Sequence, residues 1–393
     1  MLALTLGVVG SLAAATLAWT LRRAHVHEQT LARCEVEAGQ LRAALAPATR
    51  TALDQAFRAA APDLAADSLA HALEHMDAYA DGWASLRRQT CIELELDRTL
   101  APAAAAPMLE CLDERRAEFE ALLAAWRTPT RRAVAAAAPR AASLELLSTC
   151  REPALLARRI APPEDAATRE AIAAIQTRRR AIETLEINHD YEAAGVEARA
   201  LLRDAEALGW LPTTVQVREL VGSIEDALGH YELAADIYRE AFGEAGRAGD
   251  DVLAIRLALM LGRLIGYDLG RAREGVIWLG FAEVLIARAG LEGTWVDDAR
   301  LGALGVVQDE LGDFEGALAT YERKREIDLA LYGPRSVALS HTLNDRGSTL
   351  NALGRYREAR AEFEASLAIR RELVGSNHTL VAASIDNIGI THY

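Results

Sequence analysis

The chain has 393 residues, long enough for about two or three domains, and 51% of them are hydrophobic and 25% charged, as in folded rather than disordered proteins. Alanine and leucine are abundant and aromatic residues make up only 5%, which favours helices. The 57 acidic residues outnumber the 43 basic ones, and the net charge of −14 excludes nucleic-acid binding because it would repel a phosphate backbone.

The first 21 residues contain no charged side chain and would form a helix about 31 Å long at roughly 1.5 Å per residue. That length matches the hydrocarbon core of a bilayer, so residues 1–21 are predicted to be a transmembrane helix with Trp19 at the interface. The alternative is a cleaved signal peptide with its small-residue site at residues 13–15. A signal peptide would begin with a basic segment and have a shorter apolar run, so the anchor is favoured.

The residues after the span give opposite indications of membrane orientation. Arg22 and Arg23 open a predicted juxtamembrane linker of residues 22–33, and positive charge prefers the cytoplasmic side. The next segment, residues 34–160, is predicted to be a helical domain, and it holds every cysteine of the chain. An even number of cysteines confined to one segment indicates disulfides formed in an oxidising compartment. They are Cys34, Cys91, Cys111 and Cys150.

One disulfide pairing can be argued from helical patterns over residues 67–98 and 105–125. In an antiparallel hairpin of these helices, Cys91 and Cys111 face each other within the short distance that a disulfide requires. The other two cysteines would then tie the ends of the domain together. The alternative is four buried free thiols in a reducing cytosol.

A His-x-x-Glu-His motif is the strongest catalytic candidate in the chain. On a helix, His71 and His75 lie one turn apart and could ligate zinc with Glu74 as general base, the spacing of inverted zinc peptidases. Such a site needs a third ligand, and the favoured interpretation is the polar face of an amphipathic helix. His25 and His27 are interpreted as part of a solvated juxtamembrane turn. We therefore predict no catalytic residue, no metal and no cofactor.

Residues 165–393 repeat a common pattern. Glycines recur at an interval of 42 residues, in the series Gly305, Gly347 and Gly389 and in the pairs Gly312/Gly354 and Gly333/Gly375. Similar turn sequences begin at His189, Gly229, Gly312 and Gly354, with a degenerate copy at Gly270. After each turn comes a small residue, at Ala194, Ala234, Ala317 and Ala359. In three copies an aromatic follows four residues later, at Tyr238, Tyr321 and Phe363.

The repeating pattern predicts stacked helical hairpins. Glycine ends the first helix of each hairpin in a left-handed cap, small residues let the helices approach, and aromatics fill the space between them. One hairpin cannot bury its apolar face alone, so neighbours stack into a superhelix with a concave inner wall. The fold class is therefore predicted to be all-α, with about five hairpins and a final capping helix in the repeat region.

The repeats resemble the tetratricopeptide repeat in its 42-residue, kinesin-light-chain-like form. The resemblance rests on the linkers Gly333-Pro334-Arg335-Ser336 and Gly375-Ser376-Asn377-His378 and on the stretch Leu343-Asn344-Asp345-Arg346-Gly347, in which Arg346 departs from the pattern. It implies an α-solenoid whose first helices line the concave wall and bind a protein or peptide.

The region before the repeats resembles the extracytoplasmic sensor region of membrane serine/threonine kinases of the myxobacterial type. The resemblance is carried by Cys34 and the helix after it, by Ala78-Tyr79-Ala80-Asp81-Gly82-Trp83, by Cys91, and by Glu110-Cys111-Leu112-Asp113-Glu114-Arg115. The kinase itself is absent from this sequence, which has neither its glycine-rich loop nor its catalytic loop. The resemblance implies a sensor half in the bacterial inner membrane with its bulk in the periplasm, and a possible kinase or other signalling partner.

The inward positions of the first helices are the candidate partner-binding residues. Polar side chains on a concave wall suit an extended peptide, whose backbone they can hydrogen-bond. The candidates are Gln216, Glu219, Ser223, Asp226, Asp309, His341, Asn344, Ser348 and Asn351. We therefore predict a membrane-anchored interaction or sensor protein without enzymatic activity. The alternatives are the zinc peptidase described above and a cytoplasmic scaffold whose apolar N-terminus lies in a core.

Overall fold

The computed structural model describes residues 2–158, 160–161, 163–376 and 378–391, with side chains from Trp19 onward. Every regular element in these ranges is helical, which confirms the all-α prediction. The helices form an N-terminal unit and a series of hairpins.

The N-terminal unit contains eight helices of very unequal length. They are α1 (Leu2–Ala38), α2 (Gln40–Ala44), α3 (Pro47–Ala60), α4 (Ala65–Glu95), α5 (Pro102–Ala125), α6 (Arg131–Ala135), α7 (Ala137–Ala142) and α8 (Pro153–Leu156), with a 3₁₀ turn at Leu147–Arg151. Its core is built on large side chains that are fully buried, among them Phe57, Trp83, Phe119 and Trp126. The indole of Trp83 donates to the Leu112 carbonyl at 2.8 Å, which satisfies its buried N–H.

The remaining helices form five antiparallel hairpins and a final helix. They are α9 (Ala166–Ile187) and α10 (Tyr191–Leu208), α11 (Leu211–Ala227) and α12 (Tyr231–Ala248), α13 (Asp251–Arg263) and α14 (Ala272–Ala289), α15 (Trp295–Glu310) and α16 (Phe314–Leu331), α17 (Val337–Ala352) and α18 (Tyr356–Val374), and then α19 (Thr379–Ile390). The third hairpin differs from the others because a π-helical turn, Leu264–Asp268, precedes its loop. This irregular turn lies just before Gly270, where the degenerate sequence copy begins.

A glycine and an aromatic residue meet in the second, fourth and fifth hairpins, the three copies in which the sequence pattern has both. In the fifth hairpin the ring of Phe363 lies over Gly347, and a Cβ on that glycine would come within 2.6 Å of the ring. The same contact joins Tyr238 to Gly222 and Tyr321 to Gly305. The aromatic therefore fills the gap that the glycine leaves between the two helices of a hairpin.

No helix in the described part of the chain is long and apolar enough to cross a membrane. The predicted span of residues 1–21 falls mostly on residues 1–18, whose side chains lie outside the described part. The predicted juxtamembrane linker, residues 22–33, is helical, because α1 continues through it to Ala38.

Both disulfides form, but the pairing argued from the helical patterns is wrong. Cys34 bonds Cys91 and Cys111 bonds Cys150, with Cα atoms 5.7 and 5.4 Å apart. Helix α4 ends at residue 95 and α5 begins at residue 102, each three residues earlier than predicted. Cys91 and Cys111 then lie at different heights on the two helices, and α1 and the 3₁₀ turn bring the other two cysteines to them.

The N-terminal unit contacts both ends of the row of hairpins. At the first joint, Thr130 Oγ1 donates to the Asn188 carbonyl at 3.0 Å. At the last joint, His75 Nε2 donates to the Leu373 carbonyl at 2.9 Å and His378 Nε2 donates to the Ala135 carbonyl at 2.8 Å. The core of the unit also takes in apolar side chains of α18 and α19, namely Leu367, Val374 and Val381. The unit therefore spans the open side of the solenoid.

Candidate functional site

A cavity of about 680 Å³ lies between the N-terminal unit and the fourth and fifth hairpins. This volume is in the range of ordinary ligand sites. The N-terminal unit contributes residues of α4 and of the segment 141–149, and the hairpins contribute Trp295, Tyr332, His341 and their neighbours. The cavity is the candidate functional site because both parts of the chain build it.

The wall from the N-terminal unit is a short irregular segment after α7. Tyr79 donates its hydroxyl to the Glu145 carbonyl at 3.1 Å, and the Glu145 carboxylate pairs with Arg115. The disulfide to Cys150 fixes the end of the segment. Side chains that lie between these attachments, Leu146 and Leu147 among them, line the cavity. Two contacts and a covalent bond thus hold the segment on α4 and α5 of the N-terminal unit, at the edge of the cavity.

The continuation of this segment packs on the third and fourth hairpins. Ala154 and Leu155 of α8 lie against the apolar cluster that includes Ile255 and Val296. Arg158 Nη1 pairs with the Asp251 carboxylate at 2.7 Å. The N-terminal unit therefore lies along the first helices of these hairpins, and the cavity is the space left between them.

The wall from the hairpins is aromatic and contains a histidine of defined tautomer. Arg370 Nη2 donates to His341 Nδ1 at 3.5 Å, so the ring proton of neutral His341 is on Nε2. Burial lowers the pKa of His341, and the nearby Arg370 lowers it further. Burial raises the pKa of the Tyr332 hydroxyl, so the phenol stays protonated. This wall therefore offers neutral hydrogen-bond donors beside the indole of Trp295.

Four of the nine predicted binding residues join neighbouring first helices. Gln216 accepts from Gln176 at 2.7 Å and Ser223 donates to Glu186 at 3.3 Å, which links α11 to α9. Ion pairs of 2.6 Å link α11 to α13, between Glu219 and Arg256 and between Asp226 and Arg263. These side chains form a polar ladder from hairpin to hairpin.

The ladder continues in the last two hairpins. Asp309 accepts from Thr349 at 2.9 Å, and burial raises the pKa of this carboxyl. Asn344 accepts from Asn387 of α19 at 3.0 Å. Ser348 donates to the Asn344 carbonyl within its own helix at 3.1 Å. Asn351 has a buried side-chain oxygen that accepts no hydrogen bond from any residue the structure describes.

His341 is the one predicted binding residue that lines the cavity. Most of the others make polar contacts within the chain, so their role in binding a partner stays a prediction. The contribution of Tyr79 and of residues 141–149 was missed by sequence reasoning. Nothing in a repeat pattern says that a separate unit folds onto the inner wall, and the segment itself has no motif.

The His-x-x-Glu-His motif has other contacts. His71 Nδ1 donates to the Asp67 carbonyl at 2.9 Å, and His75 makes the last joint. Where the structure describes side chains, it contains no group of three or more histidine, cysteine, aspartate or glutamate residues that could hold a metal ion.

Comparison with known proteins bears mainly on the repeats. The family model of the tetratricopeptide repeat matches residues 297–372 and 338–393. The chain is thus a helical protein with tetratricopeptide repeats in its last two hairpins and final helix. No curated protein matches it. The resemblance to the sensor regions of receptor kinases therefore stays a prediction.

Solved structures with a similar course are distant in sequence. BtubC (BKLC) of P. vanneervenii has 22% identity over 58% of this chain and 84% of its own, with a TM-score of 0.44. A putative kinesin light chain of Podospora anserina with nearly identical repeats has 14% identity over 51% and 96%, with a TM-score of 0.44. Aspartyl phosphate phosphatase F of Bacillus subtilis has 11% identity over 93% and 94%, with a TM-score of 0.40.

Proposed function

We propose that the chain is a non-catalytic interaction module that holds a segment of a partner protein in the cavity between the N-terminal unit and the last hairpins. The observation that carries this proposal is the cavity itself, with about 680 Å³ and a lining from both parts of the chain. Tetratricopeptide repeats in the same hairpins support it. The apolar floor and the few polar groups around it have the character of a binding site.

The chemistry of the lining favours a peptide over a small polar metabolite. Trp295 and Leu147 offer apolar surface, whereas the neutral His341 offers an N–H to a carbonyl oxygen. An extended peptide supplies both apolar side chains and carbonyl groups. The polar ladder on the first helices keeps the hairpins in a fixed relative position and so preforms the wall.

Site-specific photo-crosslinking tests the proposal. A benzophenone amino acid in place of Ala338, which lines the cavity, should crosslink the partner in cells that make the protein. The matched control carries the same group in place of Leu311, which is 43% exposed and lies outside the cavity. Equal crosslinking at both positions, or none at position 338, would contradict the proposal.

We extend the proposal to location: residues 1–21 attach the chain to a bacterial inner membrane, and the bulk lies outside the cytoplasm. Two disulfides support an oxidising compartment. A kinase in the same membrane is the signalling partner that the sequence resemblance suggests. Alkylation of denatured whole cells with a large maleimide tests the location, since the protein should gain mass only after reduction. A mass shift without reductant would indicate free thiols and a reducing compartment.

A further inference from the structure

Lys324 on α16 is the only lysine among the 43 basic residues of the chain, and the others are all arginines. Its side chain is 11% exposed and lies between two carboxylates. The Nζ atom is 2.8 Å from Asp298 Oδ1 on α15 and 3.1 Å from Asp328 Oδ1 on α16. Gly302 gives the lysine room, because a Cβ at that position would come within 3.1 Å of Lys324 Cε.

Lys324, the two aspartates and Thr342 of α17 form a buried group, the lysine cluster. Asp328 is fully buried, and Asp298 is buried too. Thr342 Oγ1 donates to Asp328 Oδ2 at 2.6 Å. One ammonium therefore faces two carboxylates, so one negative charge is in excess when both are ionised. A buried excess charge favours the uptake of a proton. Burial accordingly raises the pKa of Asp298 to about 6, although Lys324 lowers it.

The lysine cluster joins the three helices that carry the hairpin wall of the cavity. Trp295 lies one turn before Asp298 on α15. Tyr332 lies one turn after Asp328, and its N–H donates to the Asp328 carbonyl at 2.9 Å. His341 directly precedes the threonine of the cluster on α17. All three of these side chains line the cavity, so the cluster sets their relative positions.

We propose that the lysine cluster holds this wall of the cavity together while it carries a proton, and that loss of the proton loosens the contact of α15 with α16 and weakens partner binding. With the proton, one ammonium faces one carboxylate and one neutral carboxyl. Without it, the excess charge favours an arrangement in which water reaches the aspartates. The effect on binding rests on the function proposed above, whereas the uptake of the proton does not.

The sign of the pH dependence follows from the raised pKa of Asp298. The contribution of the cluster is complete below about pH 4 and is lost as the pH rises through about 6. Burial also raises the pKa of Asp345 on α17 to about 6, so this carboxyl acts in the same direction. His341 acts in the opposite direction, because burial lowers its pKa and acid weakens its contribution. The other titratable and charged groups around the cluster are Asp297 and Arg300 of α15, Tyr332 after α16, Arg370 of α18 and Glu145 of the N-terminal unit.

Hydrogen exchange of the full chain, measured by mass spectrometry, tests the cluster. The protection of the α15 amides, corrected for the intrinsic exchange rate, should fall by up to about tenfold per pH unit between about pH 4 and 6 in the wild type. In Asp298→Asn a neutral amide replaces the protonated carboxyl, so the protection should stay high across this range. The groups around the cluster are the same in both chains, so the difference between them isolates Asp298.

Asp297→Asn is the matched control for this experiment. The neighbouring aspartate is also buried, but it pairs with Arg300 at 2.9 Å rather than with the lysine. Its loss should lower the protection at every pH and keep the wild-type pH dependence. A wild type whose protection is as independent of pH as that of Asp298→Asn, or a control that removes the dependence, would overturn the proposal.

A second pair of variants separates charge balance from packing. Lys324→Met leaves two buried carboxylates without a cation, so the protection should fall most at neutral pH. Adding Asp298→Asn to the same chain removes one of these charges and should restore much of the protection. A double variant that is no better protected than Lys324→Met would contradict the role of the excess charge.

Crosslinking from position 338 tests the effect on binding. In a cell lysate adjusted to about pH 5 or about pH 7.5, the wild-type site should crosslink the partner more strongly in acid, and Asp298→Asn should crosslink it equally at both. Equal crosslinking of the wild type at both values would overturn the effect on binding. No crosslinking at either value, with the exchange still dependent on pH, would refute the partner site and leave the proton-dependent cluster.

Discussion

The two parts of the chain bury their helices by different means. In the hairpins, burial is local: Gly347 meets Phe363 sixteen residues later, and the same contact recurs in other copies. In the N-terminal unit, the helices differ in length, and two disulfides connect cysteines 57 and 39 residues apart. The hairpins are thus stabilised by the same short-range contact in several copies. The N-terminal unit is stabilised by contacts and disulfides between residues that are distant in sequence.

The largest expected effect in this comparison is the loss of one hairpin aromatic. Phe363→Ala should lower the free energy of unfolding by about 3–5 kcal/mol, because it opens a cavity between α17 and α18. The fully buried ring also lies in the hairpin that contacts the N-terminal unit. Urea denaturation followed by circular dichroism measures the change. Tyr356→Ala on the same helix is the control, since its ring is 45% exposed and its loss should have little effect.

Removal of a disulfide is the corresponding change in the N-terminal unit. Cys34→Ser with Cys91→Ser, or Cys111→Ser with Cys150→Ser, should each cost about 2–4 kcal/mol, because the unfolded chain regains the freedom that the crosslink removed. The same urea titration, with and without reductant, measures it. Reductant should have no further effect on a variant that lacks all four cysteines. An unfolding midpoint of the wild type that reductant leaves unchanged would show that the unit does not depend on its crosslinks.

The contrast between the two parts explains how much the sequence could predict. The hairpins could be predicted because each copy repeats the same local signals, such as the turn at Gly354 and the ring at Phe363. The disulfide pairing could not, because a shift of three residues in the ends of two helices moves Cys91 and Cys111 out of register by roughly five residues, or about 7 Å. The cavity was missed for a similar reason, since its second wall comes from a unit that the repeats do not specify.

Gly347 and Gly389 occupy equivalent positions in the repeat, but substitution should affect stability differently at the two sites. Gly347→Ala should destabilise the protein by about 1–3 kcal/mol, because the new Cβ would overlap the Phe363 ring. Gly389, one repeat interval later, has no atom of the described residues within 4 Å of a Cβ built on it. Gly389→Ala should therefore be neutral or stabilise the final helix by up to about 1 kcal/mol. Equal losses in both variants would mean that the glycine–aromatic contact is not what sets the cost.

The smallest expected effects concern the pH dependence of the free energy of unfolding. Its sign differs between the two joints of the N-terminal unit with the hairpins. Near the first joint, where α5 packs on α9, burial raises the pKa of Glu118 on α5 and of Glu186 on α9 to about 7. At the last joint, burial lowers the pKa of His378, with Arg370 lowering it further while Asp67 and the hydrogen bond to Ala135 act against this. His378 must stay neutral because its Nδ1 accepts the Leu380 N–H at 3.1 Å while Nε2 donates to Ala135.

Folded glutamates with raised pKa values favour the protonated form, so their contribution is complete below about pH 4.5 and is lost as the pH rises to about 7. A folded histidine with a lowered pKa favours the neutral form, so its contribution is complete above about pH 6.5 and is lost on acidification.

Glu118→Gln should therefore stabilise the chain near neutral and alkaline pH by about 1 kcal/mol, a value reduced by the partial exposure of this side chain, and should change little in acid. His378→Asn keeps an acceptor for Leu380 without a titrating group, so it should weaken the acid-induced loss of stability and leave alkaline stability nearly unchanged.

Urea midpoints across the acid-to-alkaline range measure both. Asp298 and Asp345 inside the hairpins have pKa values raised to about 6 and titrate in the wild type and in both variants. Their effect cancels when the pH dependence of the urea midpoint of a variant is subtracted from that of the wild type. Glu118→Gln should change the urea midpoint mainly on the neutral and alkaline side, and His378→Asn mainly on the acid side. If both variants changed the midpoint on the same side, the two joints would not differ in the sign of their pH dependence.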